Sequence, residues 1–292
     1  MGIAATVIGA GIIAIGLRDV FRALMNPRGE ATLSTMVFSA MWAVSRRCGH
    51  RLGSTVGPAG MVGTVLVWVL LQAVGWALIY LPRVPEGFDY SSGIDAGRYP
   101  VVAEALYISL VTLATLGFGD VVATDPVLRV LAPVEALTGF ALLTASLTWF
   151  MQVYPPLTRR RALALRLHGL AEAGYAEAVR ELSPVTIARA AEDLAAEINA
   201  VTVDLSQHSE TYYFQDGNPH QSLSRQVAHA VDLRDAATES GDPESRVGAR
   251  ALSTSLDRLA ESLGDFVDAG QDPDVREVFD AYAGDHWRAA RS

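Results

Sequence analysis

The chain contains no lysine and a single cysteine, Cys48, among its 292 residues. One cysteine excludes an internal disulfide framework and any metal or redox site built on a Cys-x-x-Cys pair. Charged residues make up only 19% of the sequence and apolar residues 50%, a balance that is unusual for a soluble protein. The formal net charge is −9, so the positive surface of a nucleic-acid-binding protein is missing and we expect no nucleic-acid partner.

Apolar residues are concentrated in three stretches that are long enough to cross a membrane. These stretches cover residues 3–25, 59–81 and 127–153, and the second carries no charged residue. We expect the third helix to end at Pro155 and Pro156, because proline interrupts helical hydrogen bonding. The sequence therefore predicts an all-α membrane protein with three transmembrane helices.

A shorter apolar segment, residues 101–115, lies between the second and third crossings. At about 15 residues it is too short to cross a hydrocarbon core of ~30 Å. It leads into GFGD at residues 117–120, which cannot continue as a helix. Non-helical backbone at membrane depth is tolerated only when it is buried in protein or lines a water-filled path. We therefore predict a re-entrant half-helix followed by a loop.

The segment TLATLGFGD, from Thr112 to Asp120, resembles the T-x-x-T-V-G-Y-G-D signature of the tetrameric potassium-channel family. The resemblance implies a pore helix, a selectivity filter and an inner helix within residues 58–157. It also implies a homotetramer that conducts K⁺ passively, with K⁺ as the permeant ion and no cofactor or enzymatic activity. A non-selective cation channel is the alternative.

In such a filter, backbone carbonyls replace the hydration shell of the ion. The carbonyls of successive residues point to one axis only if left- and right-handed backbone angles alternate, and glycine adopts the left-handed angles without strain. The predicted ion-binding residues are Thr115, Leu116, Gly117, Phe118 and Gly119, and the resemblance assigns Thr112 and Asp120 to filter support.

Two positions differ from the family pattern in ways that affect the filter. Phe118 replaces the usual tyrosine and lacks its phenol hydrogen bond. Val111 stands where some members have a buried glutamate, so a brace to Asp120 is missing or comes from elsewhere.

The third crossing resembles an inner helix, and Leu137, Phe140, Thr144 and Thr148 share one of its faces. This face is predicted to line a water-filled cavity. Alternatively, the two threonine hydroxyls bond back to their own helix.

Two more residues of this helix are candidates for a part in gating. Gly139 is either a bending point or a site of close packing against the pore helix. Glu135 is an intramembrane carboxyl, which either braces the pore helix or modulates the gate.

Arginines next to the crossings predict the orientation. The linker at residues 26–57 carries four arginines, and Arg159, Arg160 and Arg161 follow the third crossing. Both regions are predicted to be cytoplasmic, with the N-terminus outside and the protein in the cell membrane among lipids. Within the linker, residues 31–47 have an apolar face that could lie along the membrane surface.

Residues 158–292 are predicted to form a helical cytoplasmic domain, and residues 1–57 a helix with its linker. The expected helices of the domain cover about 158–181, 184–207, 221–239, 243–268 and 273–290. This domain either regulates the pore or holds the tetramer together, and no regulatory ligand is indicated. His208, Glu210, Asp216 and His220 fit no metal-ligand spacing and are interpreted as surface residues.

Overall fold

The computed structural model describes residues 2–25 and 33–286. The chain is an all-α membrane protein, as the sequence predicts, with only two short strands among the described residues. The helices are α1 (Gly2–Met25), α2 (Leu33–Arg47), α3 (Val56–Tyr80), α4 (Val101–Leu113), α5 (Pro126–Glu172), α6 (Pro184–Gln207), α7 (Leu223–Gln226), α8 (Ala228–Glu239), α9 (Pro243–Gly264) and α10 (Val275–His286). Strands β1 (Phe88–Tyr90) and β2 (Val121–Ala123) pair antiparallel.

Three of these helices are long and apolar enough to cross a membrane within the described ranges, namely α1, α3 and α5. They coincide with the three predicted crossings. The short helix α4 coincides with the predicted half-helix and ends two residues earlier than predicted.

The prediction that the third crossing ends at Pro155 and Pro156 is wrong, because α5 continues to Glu172. A proline inside a helix costs about 3 kcal/mol. Against this cost, four large apolar side chains of the same region are buried, each contributing about 1.5–3 kcal/mol. They are Val153, Leu157, Leu163 and Leu167. The separate helix predicted at residues 158–181 is therefore the end of α5, followed by a 3-10 turn at Glu177–Arg180.

Contacts divide the chain into two compact units. The membrane unit comprises Met1–Ser34 and Met61–Met151, and the C-terminal unit comprises Thr35–Gly60 and Gln152–Ser292. The division into residues 1–57, 58–157 and 158–292 stays a prediction, but most of the described linker belongs to the C-terminal unit rather than to a part of its own.

In the membrane unit, the buried carboxylate of Asp19 joins α1 to two other elements. It accepts a hydrogen bond from Trp68 Nε1 of α3 at 2.7 Å. It also accepts hydrogen bonds from the backbone N–H groups of Leu33 and Ser34, with N–O distances of 2.8 and 3.3 Å. Asp19 therefore caps the first turn of α2. The Trp68 ring in turn lies 5.2 Å from the Trp149 ring of α5. Asp19 thus links the first helix to the helices of the predicted pore.

We expect Asp19→Ala to lower the free energy of unfolding by about 1–3 kcal/mol, because it leaves the buried indole N–H of Trp68 without an acceptor. Thermal denaturation of the purified protein measures the change. Thr6→Val is the control, since it removes only a hydrogen bond from Thr6 Oγ1 to the Gly2 carbonyl within α1. Equal stability of the two variants would contradict this role for Asp19.

Two helices of the C-terminal unit, α6 and α9, begin where the sequence predicts them. Ser183 precedes Pro184 at the start of α6, and its hydroxyl accepts the N–H of Thr186. Asp242 precedes Pro243 at the start of α9 and accepts two backbone N–H groups. The predicted helix at 221–239 is divided into α7 and α8, and the predicted helix at 273–290 begins later, at Val275. Its last residues, 287–290, lie outside the described residues.

An aromatic cluster forms part of the core of this unit. Tyr212 stacks on Phe266 at 4.4 Å, and the ring of Trp42 from α2 packs against Tyr212. Burial lowers the pKa of His286 to about 4, so its ring is neutral at pH 7 and Nε2–H donates to the Tyr212 carbonyl. Trp42 and Phe38 are 3% and 1% exposed. Part of the apolar face of α2 is therefore covered by protein, whereas Met36 and Val44 are 63% and 51% exposed, and a location along the membrane surface stays a prediction.

The arginines that follow the third crossing are paired within the same unit. Arg160 is buried and donates to the carbonyls of Thr211 and Phe214 and to the carboxylate of Asp216. Arg161 donates to the other Asp216 oxygen at 2.6 Å. Because these charges have protein partners, they fix the end of α5 onto the segment around residue 214.

Candidate functional site

The loop after α4 alternates its backbone handedness residue by residue. Thr115, Gly117 and Gly119 have φ angles of 57°, 53° and 75°, whereas no positive φ occurs at the two residues between them. A Cβ on Gly117 or Gly119 would meet no atom within 4 Å, so the requirement for glycine comes from the backbone angle and not from crowding. Such alternation lets consecutive carbonyls point to the same side of the strand.

The inner end of this loop is continuous with the last turn of α4. The backbone N–H of Thr115 donates to the Thr112 carbonyl at 2.9 Å, and that of Leu116 donates to the Val111 carbonyl at 3.0 Å. Thr112 therefore contacts the loop through its backbone, and its part in supporting a filter stays a prediction.

The outer end of the loop is held by the segment that follows α3. Ser91 donates its backbone N–H to the Asp120 carbonyl at 2.9 Å and its hydroxyl to the Gly119 carbonyl at 3.1 Å. Beside it, β1 pairs with β2, so that Tyr90 lies opposite Val121. Sequence reasoning missed Ser91 as a support, because strands of three residues give too short a pattern to recognise.

Asp120 also accepts a hydrogen bond from the phenol of Tyr107, which lies on α4. This contact provides a brace to Asp120 from a residue other than Val111. The sequence gave no signal for Tyr107, because the bond depends on how α4 and the loop pack together.

Tyr107→Phe removes only the phenol oxygen of this brace. We expect the loop to become less rigid and the mean open time of single channels to fall severalfold, since a charge-assisted hydrogen bond is lost. Tyr99→Phe is the control, because Tyr99 is 56% exposed. Unchanged open times in Tyr107→Phe recordings would show that the brace has no part in conduction.

Glu135 lies on α5, is fully buried, and connects three helices. Ser109 of α4 donates to Glu135 Oε1 at 2.6 Å, and the Tyr80 phenol of α3 bonds to Oε2. The Ser109 hydroxyl oxygen also lies 2.9 Å from the Ala73 carbonyl of α3. This geometry favours bracing of the pore helix, one of the two alternatives for Glu135.

Gly139 packs against the carboxyl end of α4. A Cβ on this glycine would lie 1.9 Å from the carbonyl oxygen of Leu113. Of the two alternatives for Gly139, the geometry favours close packing against the pore helix.

The four predicted cavity-lining residues all lie on an exposed face of α5 in the single chain. Leu137 and Phe140 are 67% and 64% exposed. The hydroxyl of Thr144 donates to the Phe140 carbonyl at 3.0 Å, and that of Thr148 to the Thr144 carbonyl at 2.9 Å. The two threonine hydroxyls thus bond to their own helix, and both side chains also lie on the exposed face. That this face lines a cavity stays a prediction.

The four polar residues interpreted as surface positions have different surroundings. Asp216 is buried and paired with Arg160 and Arg161, whereas His220 is exposed. His208 Nδ1 lies 3.5 Å from a Glu210 oxygen. Within residues 2–25 and 33–286, no group of three or more His, Cys, Asp or Glu residues could hold a metal ion.

A family model described as an ion channel matches residues 64–154. This segment is therefore similar to ion channels. The matched segment includes most of α3, all of α4 and the loop, and the first part of α5, whereas α1 and residues after 154 lie outside it.

The chain is also similar to YdjJ, an uncharacterized membrane protein of Bacillus subtilis. The two are 21% identical over 170 residues, which cover 57% of this chain and 49% of YdjJ. The match thus spans about half the length of that relative. No solved structure matches the chain. The match of residues 64–154 to an ion channel model favours a transport function over an enzymatic one.

Proposed function

We propose that the protein is a homotetrameric, potassium-selective channel whose filter is formed by residues 115–119. The observation that carries the proposal is the alternation of positive φ at Thr115, Gly117 and Gly119. Such alternation would direct the carbonyls of Thr115, Leu116, Gly117 and Phe118 to one axis, where they would bind dehydrated K⁺. The Thr115 hydroxyls of the four chains would add oxygens at the inner end of the filter.

The tetramer follows from the number of oxygens. One chain supplies one strand of carbonyls, and potassium filters are built from four such loops. In a single chain, Leu116 and Phe118 are 58% and 66% exposed, which leaves their side chains available to pack against neighbouring subunits. Native mass measurement of the detergent-solubilised protein tests for four chains, and a stable monomer or dimer would contradict the proposal.

Ion flux into liposomes tests selectivity. We expect reconstituted protein to carry K⁺ and to exclude Na⁺. Equal flux of the two ions would instead identify a non-selective cation channel, the alternative that the sequence leaves open.

We further propose that the channel lies in the cell membrane, with the N-terminus outside and residues 158–292 in the cytoplasm as an assembly or regulatory domain. The arginine distribution supports this orientation. The C-terminal unit includes most of α2, which precedes residues 64–154 in the sequence, and the last part of α5, which follows them. It is therefore connected to both ends of that segment.

The orientation predicts which cysteines react with a membrane-impermeant maleimide. A Ser92→Cys variant in a Cys48→Ser background is expected to label in intact cells, because Ser92 is exposed in the outer loop. Ser92 is preferable to Ser91, whose hydroxyl holds the Gly119 carbonyl. The exposed native Cys48 is expected to label only after permeabilisation. The reverse pattern would invert the topology.

A further inference from the structure

The C-terminal unit contains a cavity of about 540 Å³ beside the end of α5. This volume lies within the range of small-molecule sites in proteins. Its walls come from α5, from the segment before α7, from α7 and α8, and from α10. The side chains that matter for its chemistry are His168, His220, Arg225, His229, Phe279 and Asp280.

The lining is rich in hydrogen-bond donors that suit an anion. Three imidazoles and one guanidinium line the cavity, together with the carboxylate of Asp280. Guanidinium and imidazole N–H groups bind phosphate oxygens well, and arginine matches them with two parallel hydrogen bonds.

The rings of His168 and His220 stack with their centroids 4.0 Å apart and their planes 32° apart. In a stacked pair the ring nitrogens lie in neighbouring planes and do not converge on one point. The described residues contain no group of three or more ligands that could hold a metal ion.

We propose that this cavity binds a small organic phosphate. The phosphate would bind to Arg225, His220 and His229, and the remaining volume would hold a planar or apolar group against the imidazole faces. His229 already has an acidic neighbour, since its Nδ1 lies 3.7 Å from Asp232. The opposite ring nitrogen of His229 is therefore the one that would contact the ligand.

Occupation of the cavity would bear directly on α5. His168 belongs to α5, the same continuous helix that carries Phe140 and Thr144 of the predicted cavity face. A ligand that fixes His168 against α7 and α8 would therefore restrict the end of that helix, which makes the cavity an input for regulation.

Binding to the full-length protein in detergent, measured by isothermal titration calorimetry, tests the proposal without relying on channel activity. The probes are adenosine 5′-monophosphate, inorganic phosphate and Zn²⁺. We expect saturable binding of the nucleotide, weaker binding of inorganic phosphate, and about a tenfold loss of affinity for either in His220→Gln and Arg225→Gln. Two variants are used so that a folding defect in one does not decide the result.

Arg250→Gln and His208→Gln are the matched controls, because both residues belong to the same unit but neither lines the cavity. Their affinities should equal that of the unmodified protein. The absence of saturable binding of both phosphate probes would overturn the proposal. Zn²⁺ binding that is lost in His220→Gln would also overturn it. Equal affinity for the phosphate probes in the cavity variants and the control variants would do the same.

Discussion

Gly117→Ala channels are expected to assemble normally and to carry no potassium current. At φ 53° an alanine Cβ strains the backbone, although no neighbouring atom lies within 4 Å of its position. A left-handed angle costs an L-residue roughly 1–2 kcal/mol. In a tetramer this strain acts on all four strands, so the filter would relax to angles that turn the carbonyls away from the axis.

Single-channel recording, together with native mass measurement, separates conduction from assembly in this variant. Gly97→Ala is the control: Gly97 lies in the outer loop without a positive φ, and a Cβ there would meet only an Asp95 oxygen, at 3.5 Å. Selective current of normal size through Gly117→Ala would show that the backbone angle at this position does not determine conduction.

Gly139→Ala is expected to destabilise the protein strongly. The new Cβ would lie 1.9 Å from the Leu113 carbonyl oxygen, a backbone atom that cannot move without displacing the end of α4. Overpacking of this kind costs about 1–3 kcal/mol, and we expect the upper end of that range. Because the predicted filter directly follows α4, current should be lost as well.

Gly169→Ala is a control of opposite sign on the same helix. A Cβ at Gly169 would meet nothing within 4 Å, so the variant should gain about 0.5–1 kcal/mol from the better helix propensity of alanine. Thermal denaturation of the purified proteins measures both changes. If the two variants shifted stability in the same direction, the close packing of Gly139 against α4 would be contradicted.

The elements with strong local signals were predictable from the sequence. The three crossings are continuous apolar runs, and α6 and α9 begin at Ser-Pro and Asp-Pro pairs. The left-handed angles at Gly117 and Gly119 were also expected, because only glycine adopts them freely.

The contacts that brace these elements could not be predicted, because they join residues far apart in the sequence. The bond from Tyr107 to Asp120 and the capping of α2 by Asp19 depend on tertiary packing. The predicted end of the third crossing was wrong for a related reason. Two prolines and the loss of hydropathy mark a helix end locally, whereas the burial of Val153 and Leu157 and the bonds of Arg160 keep the chain helical.

The central claim, potassium selectivity through the residue 115–119 filter, is tested most directly by the reversal potential of the purified protein in planar bilayers. Under a tenfold K⁺ gradient balanced with Na⁺, we expect the current to reverse close to the K⁺ equilibrium potential, about 59 mV from zero. Reversal near zero would contradict the claim and identify a non-selective cation channel.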